Sequence, residues 1–153
     1  MAKLINVLSS LDGVQVATHQ VQLKVKDGTT ASIKAGMLVI RDGSNAGYVK
    51  AAADACDTDS LILGVANSDS TETASAVGYV TVEAAPVMVV RMKAKTPANL
   101  TQALCLTNRY ILDVTSGSYT IDTATTTKGI FTIVSFDNTT DGNCIATFST
   151  NGW

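Results

Sequence analysis

Histidine occurs once in this chain of 153 residues, at His19, while proline and glutamate occur twice each, at Pro86, Pro97, Glu72 and Glu83. A single histidine removes most nucleophile–base arrangements, because any Ser-His or Cys-His pair would have to be built on it. His19 sits between Thr18 and Gln20 at the head of an alternating stretch and reads as a surface side chain. Scarce glutamate argues against helices, whose exposed faces recruit Glu, Lys, Gln and Arg. Charged residues are 16% of the chain and aromatics 5%, where soluble domains carry about 25% charged residues. A net charge of −2 argues against the basic surface that phosphate neutralisation needs, so no nucleic-acid partner is expected. No apolar run approaches the length of a membrane helix, about 18 residues. The opening Met1 to Leu8 turns polar too soon for a secretory signal.

Cysteines are three, Cys56, Cys105 and Cys144, without the close spacing of a metal site. An odd number of that kind points to buried, reduced thiols and assembly in the cytosol. A Cys56–Cys144 or Cys105–Cys144 disulfide stays open at this level. Glu83 beside Tyr79 is a thin glycosidase candidate, since it falls on the polar side of an alternating strand. Asp54, Asp57 and Asp59 lie within six residues and form a weak calcium candidate, without the spacing or turn glycine of an EF-hand loop. The expectation is a protein that is not an enzyme and has no cofactor.

What is abundant is Thr, Ala and Val, residues that suit a pleated, half-buried surface. Asp-Gly occurs four times, at Asp12-Gly13, Asp27-Gly28, Asp42-Gly43 and Asp141-Gly142, and Asp-Gly readily makes a two-residue hairpin turn. Gln20 to Lys26 alternates cleanly, and Asp27-Gly28 is expected to fold it onto Thr29 to Ile33. Further runs at Ala35 to Ile40, Leu61 to Ala66, Val77 to Ala84, Val87 to Met92, Tyr110 to Val114, Ser118 to Asp122, Ile130 to Phe136 and Cys144 to Ser149 read as strands. Asn67 to Ser75 reads as an exposed loop. Thr96-Pro97 can open one short helix near 97–104. The fold expected is therefore all-β, a compact sandwich or barrel of about ten short antiparallel strands.

Residues 1–19 read either as an N-terminal arm or as the first strand, and 20–153 as a single β domain. A faint echo runs through it. The strand ending near Ile40, Tyr48, Leu61 to Val65 and Gly78 to Val82 is followed by Val114, Tyr119, Ile130 to Val134 and Gly142 to Ala146. If that is a repeat, the domain holds two similar β units, about 20–92 and 105–150.

The pattern Ile33-Lys34-Ala35-Gly36-Met37-Leu38-Val39, Gly47-Tyr48-Val49-Lys50-Ala51-Ala52, Ile62-Leu63-Gly64-Val65-Ala66 and Gly78-Tyr79-Val80-Thr81-Val82 resembles the small capsid decoration, or cement, proteins of tailed bacteriophages. The resemblance covers roughly residues 30 to 92. It implies a structural virion protein, made in the host cytoplasm, that binds the outside of an assembled capsid. Such a protein bridges major capsid subunits and works as a homotrimer or other homo-oligomer. Leu4, Ile5, Val7, Leu8 and Leu11 are then candidate capsid contacts on an arm, joined by Arg91, Lys93 and Lys95 on one strand face. The alternative is a phage-fibre or cell-surface β module that binds a host carbohydrate or protein through its loops.

Overall fold

Short Val-, Ile- and Thr-rich runs between turn residues become strands, because β-branched side chains fit a pleated surface. A computed structural model describes residues 5–7, 10, 11, 14, 15, 18–28, 32–57 and 59–152. Three two-residue strands come first, β1 (Asn6–Val7), β2 (Ser10–Leu11) and β3 (Val14–Gln15). Ten longer ones follow: β4 (His19–Val25), β5 (Leu38–Arg41), β6 (Val49–Ala51), β7 (Ile62–Ala66), β8 (Gly78–Ala84), β9 (Val87–Ala94), β10 (Ile111–Thr115), β11 (Ser118–Asp122), β12 (Thr132–Phe136) and β13 (Asn143–Ser149). The expected all-β fold is what is found. The helix expected near 97–104 is two single 3-10 turns, Pro97–Asn99 and Gln102–Leu104, and the Thr96 side chain caps neither.

The first five longer strands close a barrel. β4 pairs with β8, β8 with β7, β7 with β5 and β5 with β6, all antiparallel. β6 then meets β4 in parallel at Val25 and Val49. The interior is aliphatic throughout: Val25, Ile33, Val39, Val49, Leu63, Ala66, Val80 and Val82. Barrel closure at this size leaves room only for side chains.

The last five strands follow the same plan. β9 pairs with β13, β13 with β12 and β10 with β11, all antiparallel, while β11 runs parallel to β9. The fifth contact is one antiparallel bridge between Tyr110 and Phe131, with N–H···O distances of 2.7 and 2.9 Å. Register corresponds as well. Val25 lies beside Val49 and opposite Gly78, while Ala94 lies beside Ile121 and donates its N–H to Gly142. Val39 opposite Gly64 closes the first set, and Tyr110 opposite Phe131 closes the second. The backbone even repeats a left-handed residue. Gly36 (φ 84°) donates its N–H to Ala66, and Leu106 (φ 60°) donates to Ile133.

The strand plan therefore divides at Ala85-Pro86, into units 19–84 and 87–149. The boundaries expected from sequence cut β9 away from the sheet it belongs to. Pro86, which cannot donate to a ladder, stands between β8 and β9. The units are not independent, since Leu38, Ile40, Ile62 and Val65 of the first belong to one packed cluster with Met88, Val90, Leu112, Tyr119, Phe131 and Phe148 of the second.

One hairpin expectation is corrected. Ser32 and Ile33 are not in a strand, and Thr29 to Ala31 lie outside the described residues. Both neighbours of β4 are already supplied by β8 and β6. The Ser32 N–H instead donates to Glu72 Oε1 at 2.6 Å, and Ile33 fills the barrel at 0% exposure. Asp42-Gly43 opens the β5–β6 hairpin, and Asp141-Gly142 lies in the β12–β13 hairpin loop. Asp12-Gly13 lies outside the described residues, between Leu11 and Val14, which pair with each other.

Candidate functional site

The expected capsid-contact residues fall into two places. Arg91 and Lys93 stand on the outward face of β9, with buried Val90, Met92 and Ala94 between and beyond them, and Lys95 follows just past the strand end. Arg91 Nη1 reaches Asp137 Oδ2 at 3.1 Å. Lys95 Nζ lies 2.6 Å from Asp113 Oδ1 and 3.4 Å from Asp122 Oδ2. Among the described residues Lys93 makes no ion pair. Opposite this row stand Ile145 and Asn143 of β13, so the face mixes half-buried apolar and charged positions.

The N-terminal candidates are built into the fold where they are described. β1 pairs with β9, Asn6 opposite Arg91 and Val7 opposite Val90. Ile5 donates its N–H to Gly36 at 2.8 Å and is 2% exposed. Its side chain is committed to the chain's own core, which removes it as an outside contact. Val7 is half-buried against the same core. Leu4 and Leu8, and the Leu11 side chain, lie outside the described residues.

The calcium candidate comes apart. Asp54 Oδ1 accepts the Val114 N–H at 2.9 Å, Asp57 Oδ1 accepts the Asp59 N–H at 2.9 Å, and the Asp59 carboxylate pairs with Lys128. The three carboxylates are spent on separate partners. Among the described residues no group of three or more His, Cys, Asp and Glu is placed to hold a metal ion. The cysteines Cys56, Cys105 and Cys144 are free, buried thiols. Burial, with Cys105 nearby, pushes Cys144 up to about 11, which leaves it a poor nucleophile at neutral pH.

Two buried carboxylates escape sequence reasoning. Asp113, 7% exposed, holds Lys95 together with the Thr115 and Thr120 hydroxyls at 3.0 and 3.2 Å. Burial pushes its pKa up, but these hydrogen bonds outweigh that and hold it below the usual range. An aspartate within the apolar run Ile111 to Val114 was the available signal. Glu72 is 2% exposed and accepts both the N–H and the hydroxyl of Ser32 on Oε1, while Oε2 is buried without a partner. Burial raises its pKa, and hydrogen bonds from Ser32 and Ser70 more than offset this.

The loop expected at Asn67 to Ser75 is exposed at most of its positions, but not at all of them. Ser70 and Glu72 are buried, at 4% and 2% exposure. Gly78 permits this, because a Cβ there would collide with the Glu72 and Thr71 backbone. Glu83, the thin glycosidase candidate, accepts a hydrogen bond from Thr18 Oγ1 at 2.6 Å and stands on the outward side of β8. His19 is exposed.

No protein-family model, curated protein or solved structure matches the chain. Among the described residues no helix is long and apolar enough to cross a membrane.

Proposed function

We propose that this chain is a structural virion protein that docks on the outside of an assembled phage capsid as a homo-oligomer. It reinforces the shell by bridging major capsid subunits. The observation that carries this reading is that the strand edges of the two five-stranded sets are closed or take hydrogen bonds from elsewhere in the chain. The first barrel is closed. In the second unit, the β10 edge receives the Ala55 N–H on the Leu112 carbonyl (3.1 Å) and offers the Val114 N–H to Asp54 (2.9 Å). The β12 edge receives the Leu106 N–H on Ile133 at 2.8 Å. Covered edges let many copies crowd on a surface without strand-to-strand aggregation. Exposed cations that are paired inside the chain, such as Lys34 with Asp69 and Lys128 with Asp59, keep the surface nearly neutral toward a protein partner. Each docking contact needs only modest strength, because shell symmetry multiplies it.

Co-sedimentation with shells assembled from the major capsid protein of the same genome tests this reading. The expected result is saturable pelleting with assembled shells and none with unassembled subunits. Absence of pelleting at micromolar protein, together with specific binding on a glycan array, would replace it with the host-recognition alternative.

A further inference from the structure

The two units differ at one end of their barrels. Counting from the matched anchors Val25 and Ala94, six residues back, His19 corresponds to Met88; counting six forward from Gly78 and Gly142, Ala84 corresponds to Phe148. The pairs confirm it, since His19 stands opposite Ala84 and Met88 opposite Phe148. In the second unit this end is filled: Met88 is 0% exposed and Phe148 3%, its ring edge-on to Phe131 at 5.4 Å. In the first unit the same positions carry an exposed imidazole and a methyl group. What remains is a solvent-open cavity of about 400 Å³, whose described lining is His19, Val21, Ala84, Ala85, Pro86 and Thr150. That volume lies in the range of small-ligand sites, about 300–1,000 Å³.

We infer that this open barrel end is a binding site for an aromatic side chain presented by a partner protein. The second unit shows the occupant that this strand geometry accepts, because Phe148 fills the corresponding space from within. Aromatic anchors in apolar pockets dominate protein interfaces, with weakly contributing contacts around them. The imidazole of His19 at the rim offers a ring edge or a hydrogen bond to such a guest. The site stands independently of the capsid reading, and it names the docking contact if that reading holds.

The test titrates the full-length protein with N-acetylphenylalaninamide, using N-acetylalaninamide as control, and follows backbone amide NMR signals. Saturable shifts centred on Val21, Ala84, Ala85 and Thr150 are expected with the aromatic probe, at least tenfold stronger than with the control. Ala84→Phe should supply the guest covalently, abolish the shifts and raise Tm by roughly 2–4 °C. Equal responses to both probes, or none, overturn the inference on the native chain even if Ala84→Phe fails to fold. Shell co-sedimentation separates the two proposals. If Ala84→Phe pellets as well as the native chain, this site is not the capsid contact, the capsid reading survives, and the aromatic titration alone decides the inference. If native protein never pellets but the aromatic titration saturates, the capsid reading fails and the site stands.

Discussion

In the first unit β5 and β7 pair from Leu38 to Ile40, and the barrel closes over an interior of Val, Ile, Leu and Ala. In the second unit the corresponding β10 and β12 meet only at Tyr110 and Phe131, and the loop carrying Asp54 and Ala55 takes the β10 edge beyond that bridge. Tyr110, Tyr119, Phe131 and Phe148 are all buried in this splayed unit, and the Tyr119 hydroxyl reaches the Ala52 carbonyl of the first at 2.7 Å. One strand plan thus supports two ways of filling a core. Continuous pairing gives a narrow barrel whose interior small aliphatic residues fill, leaving only its His19–Ala84 end open. A splayed barrel needs rings and a cover from its neighbour.

The largest test of this contrast is Phe148→Ala, which removes one ring of the edge-to-face pair from the shared cluster. It should cost about 3–5 kcal/mol. Val82→Ala in the closed barrel should cost less, about 2 kcal/mol, from two carbons at roughly 0.8 each plus a small cavity. Both variants should unfold in urea in a single transition, because the larger cluster spans both units. Two separated transitions in either variant would break the picture of a shared core.

Next comes Gly64→Ala, at the closing position that Phe131 occupies in the second unit. Gly64 has φ 151°, and a Cβ there would run into the Glu83 carbonyl and the Val82 side chain. The loss should be about 2–3 kcal/mol, combining backbone strain with a shift of β8. A cost below 0.5 kcal/mol in thermal denaturation would mean that the β7–β8 approach is looser than this geometry requires.

Three carboxylates are buried, Asp42 and Glu72 in the first unit and Asp113 in the second, and Glu72 and Asp113 are held differently. Glu72 depends on uncharged hydroxyl and amide donors, whereas Asp113 depends first on the Lys95 ammonium. Both folded pKa values lie below their ordinary ones. Each therefore contributes stability that is complete above the ordinary carboxylate range of about 4 and is lost as pH falls through the lower folded value. Denaturation midpoints from pH 6 to 2 should fall on the acid side. Glu72→Gln and Asp113→Asn should each flatten that fall, with losses of about 1–3 kcal/mol at pH 7 from unsatisfied partners. Molar salt should weaken the Asp113 share alone, because screening acts on its ion pair. Equal salt sensitivity of the two variants would contradict the assignment.

The strands from β5 onward were legible because their alternation and turn residues are local. Ser118 to Asp122 was read to the residue. Partnering was not legible. Asp27-Gly28 is a good hairpin signal, yet β4 pairs with β8 more than fifty residues away, because closure satisfies both of its edges at once. The echo through Tyr48 and Tyr119 carried the strand plan but not its boundary, since β9 is as apolar as the strands before it. Glu72 looked like an exposed loop residue because nothing in Asn67 to Ser75 shows that Gly78 admits that backbone so closely. The aspartates at 54, 57 and 59 looked like a cluster because sequence distance does not reveal side-chain direction.

The smallest test concerns the repeated left-handed turn, where the first unit has Gly36 and the second Leu106. Both donate an N–H to the carbonyl of a buried residue of a neighbouring strand, Ala66 or Ile133, at 2.7 and 2.8 Å. Leucine at φ 60° bears the Cβ–carbonyl strain that glycine escapes. Its side chain is 71% exposed and recovers little by packing. Leu106→Gly removes about 1–2 kcal/mol of strain and returns most of it as unfolded-state entropy. The net gain should be about 0.5 kcal/mol, or roughly 1–2 °C in Tm. The reverse exchange, Gly36→Leu, should lose about 1–2 kcal/mol, because Ile5 already covers that turn. Opposite signs at matched positions are what a common turn geometry requires. A loss in Leu106→Gly would mean that the leucine side chain is held by something the exposed geometry does not show.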